Sequence, residues 1–143
     1  MTFPAPLPGL VIRYAFLWSG EAASGATEGR KDRPCAIVVA APRSETGGTR
    51  VVVVPITHTA PDDPGTSIPI PAQVRVDLGL DTAPSWVRLD ELNVFAWPGY
   101  DLRTIPGTET IVYGPLPKPL FERIRTGVIA LDRARRVKPV NRD

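Results

Sequence analysis

The chain has 143 residues, a formal net charge of +2, 17 prolines, 12 glycines and one cysteine. One cysteine excludes an internal disulfide, and one histidine with one cysteine cannot supply a zinc site, so we expect no metal and no cofactor. The length predicts one domain over residues 1–143, and the proline and glycine content favours short strands and turns over a helical bundle. The chain lacks a signal-peptide pattern and any run of ~18 apolar residues, so we expect a soluble cytoplasmic protein and no membrane contact.

The first half of the chain predicts an arm, a strand, a loop and a hairpin. Residues 1–8 are proline-rich and are expected to run extended along the surface. Leu10–Trp18 is rich in β-branched and aromatic residues, which predicts a first strand. Ser19–Asp32 is small, polar and glycine-containing, which predicts a mobile binding loop. Two short runs rich in valine and isoleucine, Cys35–Ala41 and Val51–Ile56, predict the strands of a buried hairpin.

The predicted hairpin also indicates which residues are buried and which lie close together. Both of its strands are nearly apolar throughout, so we expect both faces to be covered, with Cys35 as a small buried hydrophobe. The entrance of the first strand and the exit of the second lie at the same end of an antiparallel pair. Arg33 and Thr57 are therefore expected to be close in space, although they are 24 positions apart in the sequence.

The second half of the chain predicts further short strands and two helices. The predicted elements are a turn at Ala60–Gly65, an edge strand at Ser67–Ile70, a short helix over Pro71–Leu80 and strands at Trp86–Leu92, Asn93–Trp97 and Thr110–Tyr113. A long helix is predicted over Lys118–Val137, because apolar residues recur there on one helical face. These residues are Leu120, Ile124, Val128 and Leu131. Residues 138–143 are predicted to form a basic tail, which either attracts phosphates or keeps the chain soluble.

These elements together predict a mainly β fold with some α structure. It contains five to seven short strands, a short internal helix and a C-terminal helix. An SH3-like barrel or a strongly bent antiparallel sheet with a helix across it satisfies this pattern.

Four motifs in the order of the sequence resemble the MazF/PemK toxins, the ribosome-independent endoribonucleases of bacterial toxin–antitoxin systems. Gly9 opens the first strand, and the following loop carries Glu28 and ends in Arg33-Pro34. Val54-Pro55-Ile56-Thr57 is similar to the V-P-x-T of the family. Val87-Arg88-Leu89-Asp90 is similar to the V-R-x-D of the PemK branch.

The resemblance covers roughly residues 8–97, and the chain departs from the family pattern in places. The family usually has Gly-Asp or Gly-Glu where this chain has Gly9-Leu10, and a Gln or similar polar residue where it has Glu91. Extra residues around Pro61–Pro84 and Tyr100–Pro117 are expected to reshape the RNA groove, which affects sequence specificity more than activity.

The resemblance implies cleavage of single-stranded RNA without metal. In this reaction the adjacent 2′-hydroxyl attacks phosphorus, and the products are a 2′,3′-cyclic phosphate and a 5′-hydroxyl. It also implies a homodimer and a cognate antitoxin whose acidic or apolar tail covers the RNA groove. The alternative is a non-catalytic barrel: a gyrase-poisoning toxin, a plain interaction module or a degenerate toxin.

The catalytic residues that the resemblance implies are Arg33, Thr57, Arg88 and Asp90. Arg33 is the first choice to stabilise charge on the phosphoryl oxygens, because its planar fork donates to two of them; alternatively it is a surface cation paired with Glu28 or Asp32. Thr57 either binds phosphate and orients the 2′-hydroxyl or caps a turn. In the PemK branch the residues matching Arg88 and Asp90 are proposed as acid and base. The two project from one face of a predicted strand and can equally be a surface ion pair worth under ~1 kcal/mol.

Three further residues are candidate RNA contacts. Glu28 matches a loop carboxylate of the family and is otherwise a solvated charge. His58 is the only histidine, and imidazole is the usual general base of metal-free ribonuclease chemistry, but strand alternation points it away from Thr57. Trp18 can stack on an unpaired base, as can Trp86 and Trp97, although tryptophans in a small domain are more often core or interface residues.

Overall fold

A computed structural model describes residues 3–43 and 47–143, and these residues form a mainly β fold. Residues 1 and 2 of the predicted arm and residues 44–46 of the hairpin connector lie outside the described part. The strands are β1 (Leu10–Tyr14), β2 (Arg33–Pro42), β3 (Thr49–Thr57), β4 (Ser67–Pro69), β5 (Trp86–Arg88), β6 (Glu91–Ala96), β7 (Val112–Pro115) and β8 (Lys138–Asn141). The helices are α1 (Ser19–Ala23), α2 (Ala72–Asp77) and α3 (Lys118–Arg133), with a 3-10 turn at Pro64–Thr66. The predicted fold class is confirmed, with eight strands in the described residues instead of five to seven.

The β2–β3 hairpin is the centre of the sheet, whose order is β4-β5-β3-β2-β1-β7. Strand β3 divides its partners: Arg50–Val53 pair with β6, whereas Ile56 and Thr57 pair with β5. The sheet therefore splits and bends along β3. Strand β8 lies parallel to β6, and the other pairings of the described strands are antiparallel.

Both faces of the hairpin are buried, as predicted. Side chains of its strands alternate between two apolar clusters, and the cluster that includes Ala36, Val54 and Ile56 is covered by α3. The helix packs there through the four residues predicted from its periodicity, Leu120, Ile124, Val128 and Leu131. The second cluster includes Cys35 and Ile37. Cys35 is fully buried, and desolvation raises the pKa of its thiol far above the ordinary value, so it acts as a small hydrophobe.

The predicted mobile loop Ser19–Asp32 begins instead as a helix, α1, and the strand before it ends at Tyr14 instead of Trp18. The cause is a distant strand. Asn93 of β6 pairs with the backbone of Leu17, whose N–H donates to Oδ1 at 2.9 Å and whose carbonyl accepts from Nδ2 at 2.7 Å. An amide side chain thus replaces the partner strand that β1 would need to continue.

Other element boundaries also differ from the predicted ones. The predicted strand Trp86–Leu92 is interrupted, because β5 ends at Arg88 and β6 begins at Glu91. Strand β7 is displaced toward the C-terminus from the predicted Thr110–Tyr113. The long helix ends at Arg133, four residues before the predicted end at Val137. None of the helices in residues 3–43 and 47–143 is long and apolar enough to cross a membrane.

The basic tail predicted at residues 138–143 is wrong, because most of it is strand β8. The side chain of Arg142 is only 4% exposed and its guanidinium donates to Ala15 O and Asn93 Oδ1, both at 2.9 Å. It also pairs with the Asp101 carboxylate at 3.2 Å. Arg142, which the sequence suggests is a solvated residue of a basic tail, is therefore buried and links β8 to Ala15, Asn93 and Asp101.

We expect Arg142→Ala to lower the free energy of unfolding by about 3 kcal/mol, because removing one partner of a buried pair leaves the other groups unpaired. Urea unfolding measures this change. The matched control is Arg125→Ala, which removes an exposed arginine of α3 and is expected to change stability by less than about 0.5 kcal/mol. Equal unfolding midpoints for the two variants would contradict the role of Arg142.

Candidate active site

A cleft of about 690 Å³ opens at the end of the sheet where β2 begins and β3 ends. Five of the seven predicted site residues line it: Trp18, Arg33, Thr57, His58 and Arg88. Asp90 and Glu28 are not among the lining residues. The antiparallel register, with Cys35 opposite Pro55, places Arg33 and Thr57 at the same end of the hairpin, which confirms their predicted proximity.

Two arginine side chains, Arg33 and Arg88, lie against the indole ring of Trp18. The guanidinium carbon of Arg33 lies 5.1 Å from the ring centroid and that of Arg88 lies 5.6 Å from it. A cation over an aromatic face is attracted by the ring quadrupole. One aromatic side chain therefore joins the Arg33/Thr57 pair and the Arg88/Asp90 pair into a single site.

Arg33 reaches the cleft without an anionic partner among the described residues. Asp32, one of the two partners considered for it, pairs instead with Arg103 at 3.8 Å. The Nε atom of Arg33 is buried and has no hydrogen-bond partner in the described part of the chain. A buried donor without a partner costs about 1–3 kcal/mol, so this guanidinium is poised to gain from a bound anion.

Arg88 and Asp90 form a two-bond fork rather than two parallel side chains on one strand. Nε of Arg88 donates to Asp90 Oδ1 at 2.9 Å, and Nη2 donates to Oδ2 at 3.1 Å. Arg88 is the last residue of β5, and Asp90 lies in the following turn with its side chain only 7% exposed. The pairing is a bidentate ion pair with both carboxylate oxygens engaged.

Close packing against α3 fixes the turn that carries this pair. A Cβ atom at Gly127 would lie 2.6 Å from Cδ1 of Leu89, so a larger residue would require the Leu89 side chain to shift. The backbone N–H of Lys138 also donates to the carbonyl of Asp90 at 2.7 Å. The glycine that is unfavourable for an isolated helix thus has a packing reason here.

Thr57 presents a hydroxyl of fixed orientation at the base of the cleft. It is buried, and its Oγ1 accepts from the backbone N–H of Thr59 at 3.1 Å. This is the turn-capping contact considered in the sequence, and it leaves the hydroxyl hydrogen available for donation. Both roles considered for Thr57 are compatible with this one geometry.

His58 also lines the cleft, although its side chain is 54% exposed whereas Thr57 is buried. Strand β3 ends at Thr57, and the alternation of side chains ends with it. The ring Nδ1 lies 3.0 Å from Pro84 O, and Nε2 lies 3.5 Å from Asp81 Oδ2.

Sequence reasoning missed several residues of the cleft. Arg13 of β1 lines it and donates from Nη1 to the hydroxyl of Tyr113 at 3.2 Å. The two segments that depart from the family pattern also supply walls, through Leu80 and Asp81 on one side and Ile105 and Pro106 on the other. Arg13 carries a signal that could have found it, because a lone arginine interrupts an otherwise apolar strand.

The cleft is electropositive. Its lining includes four permanent cations, Arg13, Lys31, Arg33 and Arg88, and two carboxylates, Asp32 and Asp81. A depression of about 260 Å³ adjoins it, shares Trp18, Lys31 and Arg33 with it and adds Arg30 and Glu21, whose charges lie 3.8 Å apart. Among the described residues, no group of three or more His, Cys, Asp or Glu side chains is placed to hold a metal ion.

Comparison with known families supplies an independent assignment. A model of the PemK-like, MazF-like toxins of type II toxin–antitoxin systems matches residues 16–97, more than half of the chain. The match runs from the segment before Trp18 to the end of β6 and so includes Arg33, Thr57, Arg88 and Asp90. A search of curated proteins found no match to the chain.

We expect a double-mutant cycle of Arg88→Met and Asp90→Ala to give a coupling energy of about 2 kcal/mol in urea unfolding, because the fork is largely shielded from water. The matched pair is Asp32→Ala with Arg103→Met, whose charges lie 3.8 Å apart and are more exposed. Its coupling is expected to stay under about 1 kcal/mol. Equal couplings for the two pairs would contradict the special geometry of the fork.

Proposed function

The chain belongs to the PemK-like, MazF-like toxins of type II toxin–antitoxin systems, and from this premise we propose that it is an endoribonuclease acting on single-stranded RNA. The family is one of ribonuclease toxins in general. The proposed reaction is attack of the 2′-hydroxyl on the adjacent phosphorus, which gives a 2′,3′-cyclic phosphate and a 5′-hydroxyl.

The observation that carries this proposal is the pair of guanidinium groups on Trp18 beside the hydroxyl of Thr57. Attack on phosphorus increases the negative charge on the phosphoryl oxygens. Arginine stays protonated in proteins, so Arg33 and Arg88 suit the stabilisation of this charge and not the transfer of protons. Fixed donors of this kind need little rearrangement when the charge develops.

Arg33 is the stabiliser that we place closest to the phosphate. Its Nε lacks a partner among the described residues, and no ion pair within that part of the chain includes it. A phosphoryl oxygen that binds the guanidinium group gains a charge-assisted hydrogen bond. Thr57 supplies a neutral donor beside it, either to the phosphate or to orient the 2′-hydroxyl.

We propose that Asp90 acts through Arg88. Both of its oxygens accept from the guanidinium, so their best use is to hold Arg88 in a fixed orientation on Trp18. Asp90 as the base that takes the 2′ proton, the role suggested by the PemK branch, requires this fork to open first. The closed fork favours the positioning role.

The remaining proposed RNA contacts surround this centre. Trp18 contributes mainly by orienting the two arginines, since both approach its ring. The adjoining depression at Lys31 and Arg30 continues the basic surface along which an RNA backbone can run. Glu28 is exposed on the loop that leads to Lys31, where we propose that it meets RNA outside the main cleft.

A type II toxin has an antitoxin partner. We propose that an acidic tail of this antitoxin occupies the cleft, because the permanent cations of its lining outnumber the carboxylates four to two. The proposed homodimer rests on the resemblance to the family.

We expect the wild-type protein to cleave mixed-sequence single-stranded RNA in the presence of EDTA and Arg33→Ala to be about 100- to 1,000-fold slower, the usual effect of removing one transition-state donor. Mapping of the product ends should show 5′-hydroxyls and 2′,3′-cyclic phosphates. Arg125→Ala is the charge-matched control on α3 and should cleave at the wild-type rate. Cleavage that survives Arg33→Ala would retain the function and overturn the site, and no cleavage by folded wild-type protein on several RNAs would favour a non-catalytic toxin.

We expect Trp18→Leu to slow cleavage about 10-fold, since loss of two cation–π contacts removes roughly 1–2 kcal/mol of orientation energy. The control is Trp97→Leu, because Trp97 packs on Phe95 and donates to Pro4 O away from the cleft. Single-turnover rates at saturating protein separate this effect from RNA affinity. Equal single-turnover rates for the two variants would rule out the orienting role of Trp18.

A further inference from the structure

His58 is held in the cleft by two groups on one segment of chain. Its Nδ1 lies 3.0 Å from the carbonyl oxygen of Pro84, and its Nε2 lies 3.5 Å from a carboxylate oxygen of Asp81. The side chain is 54% exposed, so a substrate in the cleft can reach it. The orientation of the imidazole is thus set by residues 81–84 and not by strand β3, which ends at Thr57.

The contact with Pro84 determines which nitrogen can accept a proton. A carbonyl oxygen only accepts hydrogen bonds, so Nδ1 must carry the hydrogen. In the neutral ring the lone pair then lies on Nε2, the atom beside Asp81. When Nε2 takes up a proton, the carboxylate of Asp81 faces the new positive charge, a favourable interaction of modest size at an exposed site.

The other polar groups on the cleft are less suited to accept the 2′ proton. Arg13, Lys31, Arg33 and Arg88 are cations at neutral pH. Asp32 pairs with Arg103, and the Thr57 hydroxyl is a donor. Asp90 is not a lining residue, and both of its oxygens accept from Arg88. Asp81 itself lies against the imidazole. Imidazole is also the side chain whose ordinary titration spans about pH 5 to 8.

We propose that His58 is the general base of the reaction, with Pro84 orienting its ring and the Asp81 carboxylate stabilising the imidazolium that forms; this inference rests on the proposed endoribonuclease function. Nε2 takes the proton of the 2′-hydroxyl while the 2′-oxygen forms its bond to phosphorus. The P–O5′ bond breaks with its electron pair on the 5′-oxygen, which takes a proton from water. The hydroxide left by that water takes the proton back from the imidazolium, and His58 returns to the neutral form.

The test compares wild type with His58→Gln in the EDTA assay. Glutamine can still donate to Pro84 O but cannot take a proton, so we expect a fall in rate of about 100-fold or more. RNA affinity, measured by fluorescence anisotropy, should change less than about threefold.

Two further variants distinguish a base from a mere contact. His58→Gly should regain activity when imidazole is added to the buffer, and Arg33→Ala should not. Asp81→Asn should slow the wild type up to about fivefold and have no further effect in the His58→Gln background, because Asp81 acts through the imidazole. Asp132→Asn, at an exposed position of α3, is the control for loss of a carboxylate.

The outcomes separate the inference from the proposed function. Wild-type cleavage that persists undiminished in His58→Gln, while Arg33→Ala is inactive, would overturn the role of His58 and leave the endoribonuclease intact. A large loss of RNA affinity without a change in the single-turnover rate would make His58 a binding residue and also overturn the proposal. Absence of cleavage by folded wild type would overturn both.

Discussion

The position of Trp18 depends on two polar side chains of β6, and the rest of the cleft depends on Trp18. Asn93 is fully buried; its Oδ1 accepts from Leu17 N and from Arg142 Nη1, and its Nδ2 donates to Leu17 O. Two residues earlier, Glu91 accepts from Ser19 N at 2.7 Å and from Ser19 Oγ at 2.6 Å. The residues on either side of the indole are therefore fixed by one strand, whose side chains at 91 and 93 point to the same face.

This arrangement makes the C-terminus part of the cleft's support. Strand β8 lies against β6, and Arg142 closes the network by taking the second acceptor site of Asn93. A buried polar network is favourable only while each member is satisfied, because an unpaired group in a medium of low dielectric is costly. Loss of a single partner at the C-terminus would therefore loosen the segment that carries Trp18.

The sequence predicts well whatever depends on apolar periodicity. The buried hairpin, the four apolar residues of α3 and the proximity of Arg33 to Thr57 follow from strand and helix geometry alone. What it predicts poorly depends on partners distant in sequence. Helix α1 begins where Glu91 accepts from Ser19, 72 positions away, and the only local signal is Glu21, which accepts from the backbone N–H of Trp18 at 3.1 Å. The burial of Arg142 is likewise invisible, because a basic terminus is ordinarily solvated.

The candidate site divides in the same way. Family motifs identify the two arginines, and an ion pair between Arg88 and Asp90 is one of the two interpretations of their i, i+2 spacing. Its burial and two-bond geometry are not predicted, because Asp90 lies in the turn after β5. The direction of the His58 side chain could not be fixed from the sequence for a related reason: alternation of side chains holds only inside a strand, and β3 ends one residue earlier. Sequence periodicity does not predict side-chain directions at the ends of strands, and the cleft is built from residues at strand ends.

The electrostatics of the two arginines bear on both proposed partners. Two guanidinium groups beside one indole repel each other, and Asp90 neutralises only Arg88. Arg33 keeps its positive charge unpaired within the described residues, so its guanidinium is a favourable position for an anion in the cleft. On the proposed function, that anion is an RNA phosphate during cleavage and an antitoxin carboxylate during neutralisation. The two ligands then exclude each other by competing for one guanidinium, and inhibition needs no change in the fold of the toxin.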